Sequence, residues 1–386
     1  MSLRFLTAGE SHGKALVGIL EGLPSGLEVL KEDIQFHLQR RKKGHGRGFR
    51  QKIEDDAIEI LSGIRHGKSL GSPISILIEN KDWKSWTDIM ESEPHSGTVK
   101  REVFIPRPGH ADLVGGIKYQ HEDMRNVLER SSARETTIRV ALATVARIFL
   151  KDLGIHIGSR VTRIGSVCDN SKITCSIEKL NETSDDSPVR CLDIQAEEKM
   201  IQAIDLAKEK GDTLGGTFEI LVSNCPVGLG SYSQWDRRIE GELSQAIMSL
   251  NAIKAVEIGD GFSLGEVFGS QAHDAFYPSN EKSVEYKTNR AGGVTGGMTT
   301  GQNIVIRAAM KPIATLMSPL PSVNLKTKKT ESAHVERSDT CAVPAAAVIG
   351  ESLIALVIAK VLLDKFGSDS MKELIPRVQE WQKNHC

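Results

Sequence analysis

The sequence has few cysteines, almost no net charge and no long run of uncharged apolar residues. Its six cysteines are scattered through 386 residues, with no C-x-x-C pair and no histidines at finger spacing. Neither a disulfide framework nor a zinc site is therefore expected. Lys+Arg number 49 and Asp+Glu number 50, a balance that excludes a global field for nucleic acid or anionic lipid. Any site for anions must therefore be local.

The sequence also lacks the usual patterns of export and of membrane insertion. No apolar h-region follows Met1, which predicts a protein that is not secreted. Four residues interrupt the most apolar run, AVPAAAVIGESLIALVIAKVLL, namely Pro344, Gly350, Glu351 and Lys360. The run is thus shorter than the roughly 18 uncharged residues of a membrane span and predicts a buried helix. We expect a cytoplasmic protein with reduced thiols and no membrane partner.

Apolar spacing predicts helices that alternate irregularly with β-rich segments. Helices are expected around Ile34 and Leu38, from Ile138 to Phe149, and around Leu243. The runs RVTRIGSV, GTFEILVSN and GQNIVIRAAM predict strands. Because regular strand–helix alternation and a G-x-G-x-x-G after a strand are both missing, an α+β fold is favoured over a Rossmann domain. The polar segment CDNSKITCSIEKLNETSDDSPVR predicts a surface excursion between two strands.

The number of domains is left open by length and composition, which allow one large domain or two ordinary ones. Two phrases, GDTLGGTFEI and AGGVTGGMTTGQNIVI, share a Gly-Gly-to-strand pattern. A duplicated unit would produce such a pattern, although the match is short.

The segment GESHG, residues 9–13, fits the G-x-S-x-G nucleophile elbow of α/β-hydrolases. Only ten residues precede Ser11, too few for the strands and the oxyanion loop that come before an elbow, which argues against a serine hydrolase. Two interpretations remain open. Either the glycines frame a tight turn that His12 caps, or the turn presents His12 to a ligand.

A basic loop, QRRKKGHGRGFRQK, concentrates positive charge in an otherwise neutral chain. Its interleaved glycines would let Arg41 and Arg47 fold onto phosphate or carboxylate groups. The alternative is a solvated face or a nucleic-acid site formed by residues 40–52.

Three further segments carry candidate site residues. RPGHAD places His110 near Arg107 and Asp112. In ERSSARET, the serine pair either caps a helix or, with nearby arginines, binds an anion at its N-terminus. In HVERSDT, Asp339 either caps a helix or forms a salt bridge, or it belongs to a site together with Arg337.

Nine phrases in this order closely resemble the chorismate synthase family: GESHG, RRKKGHGRG, LSGIRHGKSLGSPISILIEN, RPGHAD, DMRNVLERSSARET, GDTLGG, AVEIGDGF, NRAGGVTGGMTTGQ and RSDTCAVPAA. The resemblance implies a β-α-β sandwich, with helices packed between two antiparallel sheets, over a single domain of residues 1–386. It implies anti-1,4-elimination of phosphate from 5-enolpyruvylshikimate 3-phosphate to give chorismate, the last step of the shikimate pathway. It also implies a need for reduced FMN, with NADPH as one source of electrons, and a homotetramer.

The resemblance also implies roles for individual residues. His12 is expected to help protonate the departing phosphate, His110 to act near the reduced flavin, and Asp339 to lie near flavin N5. The substrate-binding residues are expected to be Ser11, Arg41, Arg47, Arg107, Arg134 and Arg337. The FMN-binding residues are expected to be Arg130, Ser131, Ser132, Ala133, Asn251, Ala252, Gly296, Lys311, Pro312, Ile313, Ala314, Thr315 and Arg337.

Three other hypotheses compete with this one: a serine hydrolase that uses Ser11, a nucleic-acid-binding protein that uses residues 40–52, and a non-catalytic flavin-binding module. No metal ligand set and no nucleic-acid partner are expected. His45 and His66 are predicted to be binding-loop or structural histidines.

Overall fold

Two antiparallel sheets enclose a layer of helices, which confirms the predicted α+β sandwich. The computed structural model describes residues 3–48, 53–94, 97–279 and 284–385. The first sheet has the order β1 (Arg4–Ala8), β2 (Ala15–Glu21), β6 (Ile74–Glu79) and β3 (Ile58–Ser62). The second has the order β10 (Ile253–Ile258), β15 (Ile304–Met310), β9 (Gly216–Ser223), β7 (His156–Ile164) and β8 (Val167–Cys168).

Shorter hairpins and the helices complete the described elements. The hairpins pair β4 (Ile64–Arg65) with β5 (Lys68–Ser69), β11 (Phe276–Tyr277) with β12 (Glu285–Tyr286), β13 (Val294–Thr295) with β14 (Met298–Thr299), and β16 (Pro321–Val323) with β17 (Thr330–Ser332). The α-helices are α1 (Lys31–Lys42), α2 (Thr87–Met90), α3 (Asp112–Tyr119), α4 (Arg125–Ser131), α5 (Thr136–Asp152), α6 (Ile177–Asp185), α7 (Ile194–Glu209), α8 (Ile239–Met248), α9 (Gly269–Ala272), α10 (Val343–Phe366) and α11 (Met371–His385).

Helices α5 and α10 form the centre of the molecule. Helix α5 packs on β2 and β6 of the first sheet, α10 packs on β7 and β9 of the second, and the two helices contact each other. On β2, a Cβ added to Gly18 would lie 2.7 Å from the side chains of Ile138 and Leu142 in α5. A glycine at this position therefore lets the first sheet approach the central layer closely.

Helix α10 is apolar on all its faces, and neighbouring helices and strands pack around it. It is long and apolar enough to cross a membrane, but 94% of its most apolar window is buried inside the protein. The helix thus lies in the core, as the interrupted apolar run predicts.

The prediction of a surface excursion over residues 168–190 holds only in part, because exposed and buried residues alternate along this segment. This segment folds into α6, which packs on β7, and its Leu180 and Ser184 are fully buried. At least one of its polar side chains pairs with a buried group: Asp185 at the end of α6 forms an ion pair with the buried Arg40 at 2.5 Å. The cysteines that the structure describes, at positions 168, 175, 191, 225 and 341, are free thiols.

Candidate active site

A cavity of about 980 Å³ collects side chains from distant parts of the chain. Its walls come from the β1–β2 turn, the loop after α1, the segment before α3, α4 with the turn that follows it, and the segment before α10. The predicted site residues in these walls are Ser11, His12, Arg41, Arg47, Arg107, His110, Ser131, Ser132, Ala133, Arg134, Asn251, Ala252, Lys311, Ile313, Ala314, Thr315, Arg337 and Asp339. A second cavity, of about 410 Å³, contains none of them.

Three predicted FMN residues lie outside the lining of this cavity. Arg130 donates hydrogen bonds to the carbonyl groups of Gly9 (3.0 Å) and Thr7 (2.9 Å), so its guanidinium fastens the end of β1. Gly296 lies in the exposed turn between β13 and β14 with a φ of +61°. Pro312 does not line the cavity, although its neighbours Lys311 and Ile313 do.

The GESHG segment is a turn between two antiparallel strands. Because β1 ends at Ala8 and β2 begins at Ala15, the chain passes from strand to strand, and the strand-to-helix elbow of a serine hydrolase is not formed. Gly9 has a φ of +108°, and a Cβ on it would lie 2.3 Å from the Ala15 carbonyl oxygen. The hydroxyl of Ser11 donates to Ser132 Oγ at 3.1 Å, which ties the turn to the chain after α4.

His12 is held by a buried carboxylate and an aromatic ring. Its Nδ1 lies 3.0 Å from each carboxylate oxygen of Glu129, and its ring stacks on Trp86 with centroids 3.9 Å apart. Burial alone would raise the pKa of Glu129, but hydrogen bonds from His12 and the charge of Arg125 hold that pKa below its ordinary value. The His12 Nε2 makes no hydrogen bond to any residue that the structure describes.

His110 is held in a similar way by Asp112. Its Nδ1 lies 2.6 Å from Asp112 Oδ1, while Arg107 Nε donates to Asp112 Oδ2 at 2.8 Å. The carboxyl of Asp112 is fully buried, which opposes ionisation, yet hydrogen bonds from His110 and Arg107 hold its pKa well below its ordinary value. Arg107 also donates to Thr315 Oγ1 at 2.8 Å. Both predicted histidines are therefore oriented through Nδ1 by an ionised carboxylate.

Asp339 pairs with the basic loop. Arg47 Nη1 donates to Asp339 Oδ2 at 2.7 Å, and the Gly48 amide donates to Oδ1 at 2.6 Å. Arg47 Nε is buried without a hydrogen-bond partner among the described residues. The part of the loop at residues 49–52 lies outside the described residues.

The predicted substrate arginines differ in how many of their donors are occupied. Burial lowers the pKa of Arg41 to about 9 despite the nearby Asp56, and its Nη1 has no hydrogen bond within the described ranges. Arg134 is bound by Asp56, Glu54 and Asn80. Arg337 is exposed and makes no side-chain hydrogen bond or ion pair with any residue in the described parts of the chain.

The predicted FMN segments meet on one side of α4. Ser132 Oγ accepts a hydrogen bond from the Arg134 amide at 3.3 Å and caps the 3₁₀ turn Ala133–Glu135, whereas Ser131 ends α4 and donates to the Val127 carbonyl at 2.9 Å. Asn251 Nδ2 donates to the Ser131 carbonyl at 3.0 Å, and Lys311 Nζ donates to the Gly109 carbonyl at 2.5 Å. The lining fits an anionic ligand, because Arg337 offers an exposed guanidinium and Arg47 Nε has no hydrogen-bond acceptor among the described residues, while Arg41 Nη1 lies 3.9 Å from Asp56 Oδ2.

Sequence reasoning missed several residues around the histidines. Glu129, Trp86, His334 and Glu336 all line or support the cavity, and none belongs to a pattern that signals a site. The exposed basic face suggested for residues 40–52 is not formed by its described arginines. Arg40 and Arg41 are buried, and Arg47 faces the cavity. His45 pairs with Asp205 at 2.7 Å, in keeping with a structural role.

Comparison with known proteins places this geometry in one family. The family model described as chorismate synthase matches residues 3–363. Among curated relatives, the chorismate synthase of Bacillus subtilis (strain 168) is 50% identical over 385 residues, which is 99% of each chain. That of Sulfurihydrogenibium sp. (strain YO3AOP1) is 53% identical over 386 residues, again 99% of each chain. A solved crystal structure of chorismate synthase matches with a TM-score of 0.80 and 41% identity, covering 99% of both chains.

Proposed function

The chain belongs to the chorismate synthase family, and we propose that it converts 5-enolpyruvylshikimate 3-phosphate to chorismate by anti-1,4-elimination of phosphate and a ring hydrogen. It is an enzyme, a carbon–oxygen lyase that acts on phosphates. The observation that carries the proposed reaction is the single cavity in which His12, His110 and Asp339 meet several arginines. A volume of about 980 Å³ is at the upper end for small-molecule sites and suits a cofactor together with a substrate.

The proposed substrate explains the local excess of positive charge. It carries one phosphate and two carboxylates, groups that arginine binds through paired N–H donors. Within the described residues, the Arg337 guanidinium makes no hydrogen bond, and Arg41 Nη1 and Arg47 Nε are buried donors without a hydrogen-bond acceptor, although Arg41 Nη1 lies 3.9 Å from Asp56. We assign these three to the substrate. Arg107 and Arg134 are assigned to the same site. Because each already donates to a carboxylate, each has fewer N–H groups left to bind the substrate.

The cofactor is proposed to be reduced FMN. Its binding residues are proposed to be the walls at 131–133, 251–252 and 311–315 together with Arg337, with Arg130 behind them and Gly296 contributed across a subunit contact of a homotetramer. When bound there, reduced FMN would supply electron density to the substrate ring. NADPH is proposed as one source of its electrons.

The protein's own side chains are proposed to move the protons. His12 presents Nε2 to the leaving phosphate while Glu129 holds Nδ1. His110, held by Asp112, supplies a proton or a hydrogen bond beside the flavin. Asp339, paired with Arg47 at 2.7 Å, would lie near flavin N5 and assist that nitrogen in taking the ring proton.

The chain is proposed to act as one domain over residues 1–386, built from two related β/α halves, in the cytoplasm. One continuous set of buried apolar residues contacts both sheets, which supports a single folding unit. The strands of one sheet lie within residues 4–79 and those of the other within residues 156–310, which supports a division into two halves.

The deciding experiment is chorismate formation under anaerobic conditions with chemically reduced FMN, with oxidised FMN as the control. We expect product only with reduced flavin. Folded protein that binds FMN and gives no chorismate would overturn the proposed reaction. Labelling of Ser11 by a serine-directed phosphonate, steeply salt-dependent binding to generic DNA or RNA, or FMN binding with no turnover would each favour one of the competing functions.

A further inference from the structure

The carboxylate of Glu129 contacts both the ring and the backbone N–H of His12. His12 offers both its Nδ1, 3.0 Å from each carboxylate oxygen, and its backbone N–H, which donates to Oε2 at 2.8 Å. Arg125 Nη1 donates to Oε1 at 3.0 Å. The carboxylate is thus surrounded by donors, and the ring of His12 cannot rotate about its Cβ–Cγ bond without losing Glu129.

The same contacts determine which ring nitrogen faces the cavity. With Nδ1 directed at an acceptor, the neutral ring carries its proton on Nδ1, and the doubly protonated ring carries its second proton on Nε2. His12 lies in the cavity wall, so Nε2 is the nitrogen that can give a proton to a ligand. Glu129 itself is 1% exposed and has a pKa below its ordinary value, so it is ionised near neutral pH.

Other charged groups face His12 from every element packed around it. Trp86, on which the imidazole stacks, also carries the guanidinium groups of Arg101 at 4.4 Å and Arg125 at 5.1 Å from its ring centroid. Arg125 Nη2 continues to Glu336 at 3.3 Å, and Glu336 lies 3.0 Å from His334 Nε2. Arg101 and Arg125 bring positive charge close to the imidazole, and Glu129 is the carboxylate in direct hydrogen-bond contact with it.

We propose that Glu129 is a positioning residue for proton transfer: it fixes Nε2 of His12 toward the substrate and stabilises the protonated imidazole before phosphate departs. The inference rests on the proposed function, in which His12 donates a proton to the leaving phosphate. Trp86 covers one face of the ring and holds its plane.

The main test is Glu129→Gln, whose side chain has the same shape but no charge. Without the carboxylate charge beside Nδ1, the alkaline limb of the kcat–pH profile should move to lower pH. We expect kcat at neutral pH to fall by about tenfold or more, and KM for the substrate to stay near that of the wild type, since Glu129 does not face the ligand.

Glu21→Gln is the matched control. It also removes a carboxylate charge paired with an arginine, Arg4 Nε at 2.6 Å, but it lies outside the lining of the cavity. Its kcat–pH profile should stay close to that of the wild type.

Glu129→Asp keeps the negative charge but places it farther from His12. Compared with Glu129→Gln, it should restore the position of the alkaline limb more than it restores kcat.

Arg125→Met tests the same electrostatic interaction by removing a positive charge instead of a negative one. Removing a cation beside Glu129 and Trp86 should move the alkaline limb to higher pH, which keeps the proposal testable if Glu129→Gln fails to fold. Unchanged kcat and unchanged profiles in folded Glu129→Gln and Arg125→Met would overturn the positioning role. Failure of the wild type to form chorismate would instead overturn the proposed function, so the two failures are distinguishable.

Discussion

Glu351 in α10 is the centre of a buried ion cluster, and its replacement by glutamine should strongly destabilise the fold. The carboxylate is fully buried and accepts from Arg40 at 2.9 Å, Arg147 at 2.5 Å and Arg190 at 3.2 Å. Ser159 donates to it at 2.5 Å. Burial opposes its ionisation, yet the three arginines hold the pKa of Glu351 well below its ordinary value.

The size of the effect follows from the charges that would be left. Glu351→Gln leaves three buried guanidinium groups with Asp185 as the remaining carboxylate of the cluster. Breaking a buried ion pair on one side costs about 3–5 kcal/mol. For 386 residues, an unfolding entropy of about 2.1 cal/mol/K per residue amounts to about 0.8 kcal/mol/K. The Tm should therefore fall by about 4–6 °C.

Thermal unfolding followed by circular dichroism and calorimetry measures this shift. Lys360→Met is the control on the same helix, since the pair Lys360–Glu242 at 2.7 Å is partly exposed and contributes less than about 1 kcal/mol. A double variant, Glu351→Gln with Arg147→Met, should recover part of the loss because it removes one of the unpaired cations.

The pH dependence has a definite sign. Because the folded-state pKa of Glu351 is lowered, its contribution is fully present above the unfolded-state value of about 4.5 and is lost as pH falls below it. The stability difference between wild type and Glu351→Gln should therefore shrink on acidification. A Tm change below that of Lys360→Met, or a difference that does not shrink with falling pH, would refute the reasoning.

The remaining predictions concern the site and one core thiol. His12→Ala and His110→Ala should each lower kcat about 10- to 1000-fold with an unchanged circular dichroism spectrum, and near-normal turnover in both would remove them from the mechanism. Arg337→Met should raise KM for the substrate more than it lowers kcat in steady-state assays, since its guanidinium is not used within the described structure; an unchanged KM would contradict this assignment. Burial raises the pKa of the Cys225 thiol to about 12, so it should resist a disulfide reagent at pH 8 until the protein unfolds. Labelling of Cys225 in the native state, seen by peptide mapping, would show that its burial is incomplete.

Much of the fold could be predicted from local pattern. The strands β7, β9 and β15 and the buried helix α10 lie where short-range apolar runs indicate them, because periodicity reports which faces of an element avoid water. The same reasoning holds only in part for residues 168–190. Their polar composition indicates exposure, but several of these side chains serve the buried ion cluster around Glu351.

The site shows the same division. Motif resemblance identified His12, His110 and Asp339, and the structure brings all three to one cavity. Glycine patterns predicted the turn at Gly9 because a left-handed φ strongly favours that residue. Each of these inferences uses residues close together in the chain or a family pattern.

Only the tertiary structure decided which charges compensate one another. Glu129 lies 117 positions after His12, and Asp56 lies 78 positions before Arg134, yet each pair is in direct contact. No local pattern specifies such partners, because the contact depends on how α4 and the loops pack against the first sheet. Sequence therefore determined the elements and the chemical groups of the site, while packing of distant segments determined which groups stay charged and which nitrogen of each histidine faces the cavity.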